Sequence, residues 1–183
     1  MSDLSLVIRA ASFAAHAHRN QRRKGGDKAP YINHPLGVAA YIVEVGFVHE
    51  GEVLAAAILH DVVEDTETTL AEIADRFGKR VAGYVSEVSD DKELPKAERK
   101  QLQIDHAPGM TWGAKLIKLA DKIYNCTGLA TTAPAAWPEE RIIAYLDWAE
   151  KVVAALGGVN TAMEELFAET LEKERAALSE KVN

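Results

Sequence analysis

Residues 52–65 read Glu52-Val53-Leu54-Ala55-Ala56-Ala57-Ile58-Leu59-His60-Asp61-Val62-Val63-Glu64-Asp65. The unbroken run Val53-Leu54-Ala55-Ala56-Ala57-Ile58-Leu59 puts apolar side chains on every side of a helix, and such a helix belongs in the middle of a core. The run ends on His60-Asp61, with Glu64 and Asp65 one turn further on. Acids near a helix C-terminus oppose the macrodipole. Carboxylates that continue a buried segment must be paired or coordinate a metal. At helical spacing His60 lines up with Glu64 and Asp61 with Asp65, a layer of ligands above a layer of carboxylates. Taken alone, so short a motif reads equally as the polar end of a helix running into solvent.

Helical periods extend outward from this segment in both directions, without strand alternation. Leu4, Val7, Ile8, Ala11, Ala14, Ala15 and His18 keep the three-four spacing of an amphipathic first helix. A basic loop, Gln21-Arg22-Arg23-Lys24-Gly25-Gly26-Asp27, leads to Asn33-His34-Pro35, a helix entrance with Pro35 expected at the first helical position. The residue before a proline is held out of the helical region, which would fix the direction of the His34 imidazole. This helix is expected to run to about Val45 and stop at Gly46. Thr69-Leu70-Ala71-Glu72 forms a capping box that opens a short helix ending at Gly78. Val81, Tyr84, Val85 and Val88 mark another, and a charged stretch over residues 90–100 leads into a polar helix expected at the surface. Residues 114–129 form a long amphipathic helix; Pro138 opens the next, which ends at Gly157-Gly158. Asn160 caps the last, whose charged tail from Glu172 is expected to fray.

The fold expected is all-α: one helical bundle of about eight to ten helices over residues 1–183, with its core at about residues 5–167 and a charged tail at 172–183. A chain of 183 residues suits one domain. At that length roughly 70% of the unfolded surface can be buried without disulfides. The 28 acidic against 21 basic residues give a net charge of −7, which argues against non-specific binding to nucleic acid or to an anionic membrane. A polyanionic ligand must therefore meet a local basic patch. The single cysteine, Cys126, forms no internal disulfide, and Met1-Ser2-Asp3-Leu4-Ser5 has no basic segment leading into an apolar run, so no secretory signal is expected. The longest apolar runs, residues 36–43 and 53–59, are too short to span a bilayer, and a cytoplasmic protein is expected.

Two further positions bear on His60-Asp61. In Lys115-Leu116-Ile117-Lys118-Leu119-Ala120-Asp121-Lys122-Ile123-Tyr124-Asn125, the residues Leu116, Leu119, Ala120 and Ile123 centre the apolar face. Asp121 lies at its border, with Asn125 one turn along, so its carboxylate can point into a cleft; the alternative is a salt bridge to Lys118 or Lys122. His34 is the other, with a plain helix-cap histidine as its alternative. His16, His18, His49 and His106 have no partners at useful spacing and read as surface or packing residues.

Together His34, His60-Asp61 and Asp121 resemble the H…HD…D metal signature of HD-domain phosphohydrolases. The chain further resembles the hydrolase domain of the RelA/SpoT alarmone enzymes, above all the small stand-alone, metazoan-type SpoT homologues. The matching blocks are Arg22-Arg23-Lys24, Pro30-Tyr31-Ile32-Asn33-His34-Pro35, His60 to Asp65, Asp90-Asp91-Lys92-Glu93-Leu94-Pro95-Lys96 and Lys115 to Asn125, with Glu140-Arg141 and the segment 145–149 beyond them. The resemblance implies His34, His60, Asp61 and Asp121 as metal ligands, with Mn²⁺ as the usual ion. It also implies removal of the 3′-pyrophosphate from guanosine tetra- or pentaphosphate. Two imidazoles and two carboxylates without a thiolate form a mixed set that suits Mn²⁺, while Zn²⁺ and Fe²⁺ also fit it. By the same resemblance Glu64 and Asp65 orient or deprotonate the attacking water, Arg23 and Lys24 pack on the base and reach its phosphates, Asn125 and Tyr145 line the ribose side, and Lys96 and Arg141 lie near the terminal phosphates.

Two departures qualify this. The long RelA/SpoT enzymes carry a synthetase domain for which these 183 residues have no room, so no alarmone synthesis is expected. The loop Gly25-Gly26-Asp27-Lys28-Ala29 is longer than in the long bacterial enzymes, which leaves a second expectation open, removal of the 2′-phosphate of NADPH. An HD enzyme acting on simple nucleotides, and a non-catalytic alarmone sensor, complete the alternatives.

Overall fold

A computed structural model describes residues 2–24, 28–134 and 137–181, apart from the side chain of Lys181. Among them run α1 (Asp3–Ala17), α2 (Asn33–Glu44), α3 (Gly51–Leu59), α4 (Val62–Asp65), α5 (Leu70–Phe77), α6 (Lys79–Val88), α7 (Lys96–His106), α8 (Trp112–Cys126), α9 (Leu129–Thr132), α10 (Glu139–Leu156) and α11 (Thr161–Lys181), with a 3-10 turn at Ala107–Gly109. Helices α4 and α9 are single turns of four residues, so nine longer helices make the bundle. The described residues contain no strand, only a bridge pairing Arg22 with Pro30.

The all-apolar segment sits where its composition demands. In α3, Val53, Ala55, Ala56, Ala57 and Leu59 are fully buried, and the helix packs against α1, α2, α6 and α8. Its three alanines let neighbours approach closely, and a Cβ on Gly51 would fall 2.6 Å from Asp3 Cβ, so α1 crosses where only glycine fits. Helix α8 is the second central element, with Leu116, Ile117, Leu119, Ala120 and Ile123 fully buried against α2, α6, α10 and α11. Each such Leu or Ile contributes about 1.5–3 kcal/mol of burial. His60-Asp61 at the end of α3 and Asp121 in α8 thus stand on helices embedded in the core.

Local signals hold where they depend on local chemistry. Thr69 Oγ1 accepts from Glu72 N at 3.2 Å, Gly78 ends α5 with φ +95°, and Asn160 Oδ1 accepts from Met163 N at 3.1 Å. Helix α7 has no buried residue.

Three expectations need correction. Residues 52–65 do not form one helix: α3 ends at Leu59 and α4 begins at Val62, with Asp61 between them at φ −98°, ψ −7°. The break turns the chain at the two residues that must face other helices, and it undoes the simple stacking of His60 over Glu64. Helix α2 starts at Asn33, so Pro35 is its third residue and His34 lies inside the first turn. Asn33 N and His34 N bond to Pro30 O and Tyr31 O at 3.1 and 2.9 Å, and the missing N–H of Pro35 falls among the first four, which lack intrahelical partners anyway. Helix α2 stops before Gly46 as expected, with Val45 as its cap; a Cβ on Gly46 would lie 2.7 Å from both Met163 Sδ and Ile42 O, and Phe47 after it is left-handed, with φ +54°. Last, the charged tail is ordered: α11 runs to Lys181, Leu171 and Leu178 are buried, and Glu174 is 4% exposed. The Glu174 carboxylate accepts from Gly128 N and Ala130 N, both at 2.7 Å, at the N-terminus of α9. A carboxylate there answers the partial positive charge at a helix N-terminus.

Candidate functional site

Three segments deliver the candidate ligands: the first turn of α2 (His34), the break between α3 and α4 (His60, Asp61) and the middle of α8 (Asp121). Ligand atoms of His34, His60 and Asp121 all lie within 4.8 Å of one another. His34 Nε2 is 3.3 Å from both Asp61 Oδ2 and Asp121 Oδ1. His60 Nε2 is 3.1 Å from Asp61 Oδ2 and 3.8 Å from Asp121 Oδ1. All four side chains expected at the metal therefore converge. Both imidazoles are buried, His34 at 2% and His60 at 5% exposure.

The donor chemistry fits a divalent cation. His60 Nδ1 lies 2.7 Å from Ala57 O, the bond that fixes the tautomer of a metal-binding histidine and leaves the Nε2 lone pair free. That Nε2 is buried and faces the Asp61 and Asp121 carboxylates, so the donors of all three side chains point to one place where a shared cation would fit. Without the cation the charges compensate one another. Burial works against a charged His60, yet the Asp61 and Asp121 carboxylates raise its pKa to about 9. Burial likewise opposes the Asp61 charge, but His60 and His34 hold its carboxyl well below the usual range. Asp121 is also driven down against its burial, chiefly by Lys122.

Around this centre lies a shell in which only Asn125 was expected at the site; Tyr31, Tyr124 and Lys122 were given no role there. Tyr31 Oη donates to Asp61 Oδ2 at 2.7 Å. Lys122 Nζ lies 3.1 Å from Asp121 Oδ2, and Asn125 Nδ2 donates to Asp121 Oδ1 at 2.6 Å. The salt bridge considered as an alternative for Asp121 thus exists alongside its approach to the histidines, and with Lys122; Lys118 turns instead to Val88 O, at 2.9 Å. Tyr124 packs edge-on to His34, with ring centroids 4.9 Å apart. Tyr31 stands three residues before His34, and Lys122 immediately follows Asp121, so proximity in sequence was the available signal for both.

Glu64 and Asp65 face the loop that follows α6. Glu64 Oε2 accepts from Asp90 N at 3.2 Å; Lys92 Nζ bonds to Asp65 Oδ1 and lies 3.7 Å from Glu64 Oε1. Burial raises the Glu64 pKa. Lys92 is a cation that the sequence reading quoted without giving it a role.

On the other side, Arg23 Nη2 donates to Asn125 Oδ1 at 3.0 Å, and its guanidinium lies 5.8 Å from the Tyr31 ring and 5.6 Å from the Tyr124 ring. The chain Arg23–Asn125–Asp121 links the expected base platform directly to the metal centre. Lys24 is exposed, and Gly25, Gly26 and Asp27 lie outside the described residues. A second basic group gathers around Tyr145, Trp148 and Trp137. Lys100 Nζ and Lys122 Nζ each lie 4.4 Å from the Trp148 ring, and Arg141 stacks 4.2 Å from Trp137. Lys96 and Arg141 are exposed. Burial first, then the neighbouring charges of Lys96, Lys122 and Arg141, lower the Lys100 pKa. Lys96, Lys100 and Arg141, with Lys122 buried behind them on Asp121, concentrate positive charge on one side of an acidic protein. Burial also holds the Tyr145 hydroxyl well above its ordinary pKa.

No helix among the described residues is long and apolar enough to cross a membrane.

Comparison with known proteins agrees with this geometry. Residues 10–142 match the family model described as HD domain. The chain is 52% identical over 163 residues to the guanosine-3′,5′-bis(diphosphate) 3′-pyrophosphohydrolase MESH1 of Xenopus tropicalis, covering 89% of this chain and 91% of that one. To MESH1 of Homo sapiens it is 49% identical over 164 residues, covering 90% and 92% of the two chains. A solved structure of a metazoan SpoT orthologue, described as hydrolysing ppGpp, superposes with a TM-score of 0.89 at 42% identity over 92% of this chain and 94% of that one.

Proposed function

Since the chain belongs to the HD-domain family, and within it to the small pyrophosphohydrolases typified by MESH1, we propose that it hydrolyses guanosine tetra- and pentaphosphate at the 3′ position, releasing pyrophosphate and leaving GDP or GTP. The observation that carries this reading is the meeting of His34, His60, Asp61 and Asp121 at the break that runs on into the Glu64-Asp65 turn, with Arg23 tied to the same centre through Asn125. The set would hold one divalent ion; two imidazoles with two carboxylates suit Mn²⁺, the usual ion of the resembling enzymes, and also admit Zn²⁺ and Fe²⁺. When bound, that ion supplies a Lewis acid and lowers the pKa of a coordinated water.

The rest belongs to this chain's own side chains. Glu64 and Asp65 orient the water that attacks the 3′-phosphorus and take its proton; the bond from phosphorus to O3′ breaks, and O3′ leaves protonated. The raised pKa of Glu64 suits a group that must accept a proton and return it. Arg23 stacks on the guanine while keeping a hydrogen-bonding edge free for phosphate, and Lys24 extends that grip. Asn125 and Tyr145 bound the ribose, and Lys96 with Arg141 meets the outer phosphates. An intact ligand set and acid pair speak against a purely sensing role, which needs neither.

A substrate panel tests the proposal. Mn²⁺-loaded protein is given guanosine tetraphosphate, NADPH and dGTP, and products are identified by mass. GDP plus pyrophosphate from the first is expected. Orthophosphate from NADPH as the dominant product would shift the assignment to a 2′-phosphatase, and tight binding without turnover would make the chain a sensor. Replacing Arg23 and Lys24 together by Ala should cost activity; unchanged rates would point to simple nucleotides.

A further inference from the structure

Glu64 is aimed by a backbone amide rather than by a side chain, and that amide is itself held from two other helices. Asp90, just beyond the end of α6, presents its N–H to Glu64 Oε2 at 3.2 Å. Gln103 of α7 donates from Nε2 to both Asp90 oxygens, at 2.9 and 2.8 Å, and an Arg99 nitrogen lies 3.9 Å from Asp90 Oδ2. From α8, Lys118 Nζ donates to Val88 O at 2.9 Å, two residues before Asp90. Lys118 is 5% exposed, and its hydrogen-bond acceptor there is a backbone carbonyl. Burying an ammonium is costly unless it is compensated. It stands one turn before Asp121 on the helix that carries the metal ligand, so one helix sets both the metal side and the acid side of the site.

Packing alone does not hold this clamp. A cavity of about 700 Å³ is lined by Asp90, Arg99, Gln103 and Lys118 among others, and buried Arg99 Nε and Gln103 Oε1 have no protein partner. With open space on that side, hydrogen bonds set the position of Asp90. We infer that Asp90, gripped by Gln103 and carried on the strut from Lys118 to Val88, is the positioning residue for Glu64. Its N–H fixes one carboxylate oxygen so that the other, 3.7 Å from Lys92 Nζ, converges with Asp65 on the attacking water.

The inference rests on the hydrolase reading, and its test separates the two. In Gln103→Leu the shape is kept and the grip is lost; Asp90→Asn is a second, milder variant. Gln101→Leu, at an exposed residue of the same helix bonded to Asp105, is the control. Two readouts are taken, steady-state kinetics of the Mn²⁺-loaded enzyme and the exchange protection of the Asp90 amide in the metal-free protein. Gln103→Leu should lower kcat about tenfold with KM and Mn²⁺ affinity unchanged, the size expected for one misplaced catalytic contact. The Asp90 amide should lose protection both in Gln103→Leu and in Glu64→Leu, which has no acceptor for it. Unchanged kcat with intact protection overturns the inference, as does a loss matched by Gln101→Leu. If the unmodified enzyme fails to cleave guanosine tetraphosphate, the proposed function falls, yet the amide readout still decides whether Gln103 and Glu64 hold Asp90.

Discussion

Replacing Gly37 by alanine sets two effects of known size against each other. Gly37 lies inside α2, where alanine is favoured over glycine by about 0.8–1 kcal/mol, so helix propensity alone predicts a stabilised protein. The structure predicts the opposite. A Cβ at this position would lie 2.1 Å from Tyr124 Cε2 and 2.6 Å from Cδ2, far inside van der Waals contact. Tyr124 cannot yield freely, because its ring is packed 4.9 Å from His34 and 6.4 Å from Tyr41 and lies under the Arg23 guanidinium. Overpacking of this kind costs about 1–3 kcal/mol. With the upper part of that range set against the propensity gain, the net loss is about 1–2 kcal/mol. For a chain of this size that lowers Tm by about 2–8 °C. Because the displaced ring bears on His34, Mn²⁺ affinity should fall as well. Thermal unfolding of the metal-free protein and calorimetric titration with Mn²⁺ measure both. A Gly37→Ala protein with equal or higher Tm and unchanged metal affinity would refute the packing argument.

Tyr31→Phe removes the 2.7 Å hydrogen bond to Asp61 and should weaken Mn²⁺ binding by about 10–100-fold, as loss of an orienting partner behind a metal ligand does; unaltered affinity in a titration would leave Tyr31 without that role. Glu174→Ala strips the caps from Gly128 N and Ala130 N and should destabilise the chain by about 2–4 kcal/mol in urea unfolding, whereas a loss below about 0.5 kcal/mol would mean that the tail is not anchored there. In chelator-treated protein the folded-state pKa of His60, about 9, exceeds its ordinary 6.5, so the charged imidazole stabilises the fold below pH 6.5 and this contribution disappears as pH rises through 9. The Tm should therefore decline across that window, and the decline should be smaller in His60→Gln; identical declines in both proteins would assign it to other groups.

What could be read from residues 52–65 was the burial, since an all-apolar run permits no other placement. The break at His60–Asp61 could not be read, because it depends on where α2 and α8 stand relative to α3. Caps such as Thr69 and Asn160 were legible because their hydrogen bonds close within a few residues. Glu174 was misjudged for the complementary reason: its partners lie more than forty residues away, and a charged side chain near a chain end gives no local sign of being buried. That the four candidate ligands meet was legible only from the set. His34, His60, Asp61 and Asp121 each had an ordinary explanation alone, and even the residue that supplied the alternative for Asp121, Lys122, turns out to act on the same carboxylate. The supporting groups, Tyr31, Lys92 and Asp90, were hidden because tyrosines, lysines and amides are everywhere in a sequence and become special only through a neighbour in space.

Diffraction at the manganese edge from crystals of Mn²⁺-loaded protein is the most direct measurement. The account predicts one strong anomalous peak per chain, with His34 Nε2, His60 Nε2 and an oxygen from each of Asp61 and Asp121 at about 2.0–2.3 Å. A peak bound by other residues, or none at saturating Mn²⁺, would contradict it.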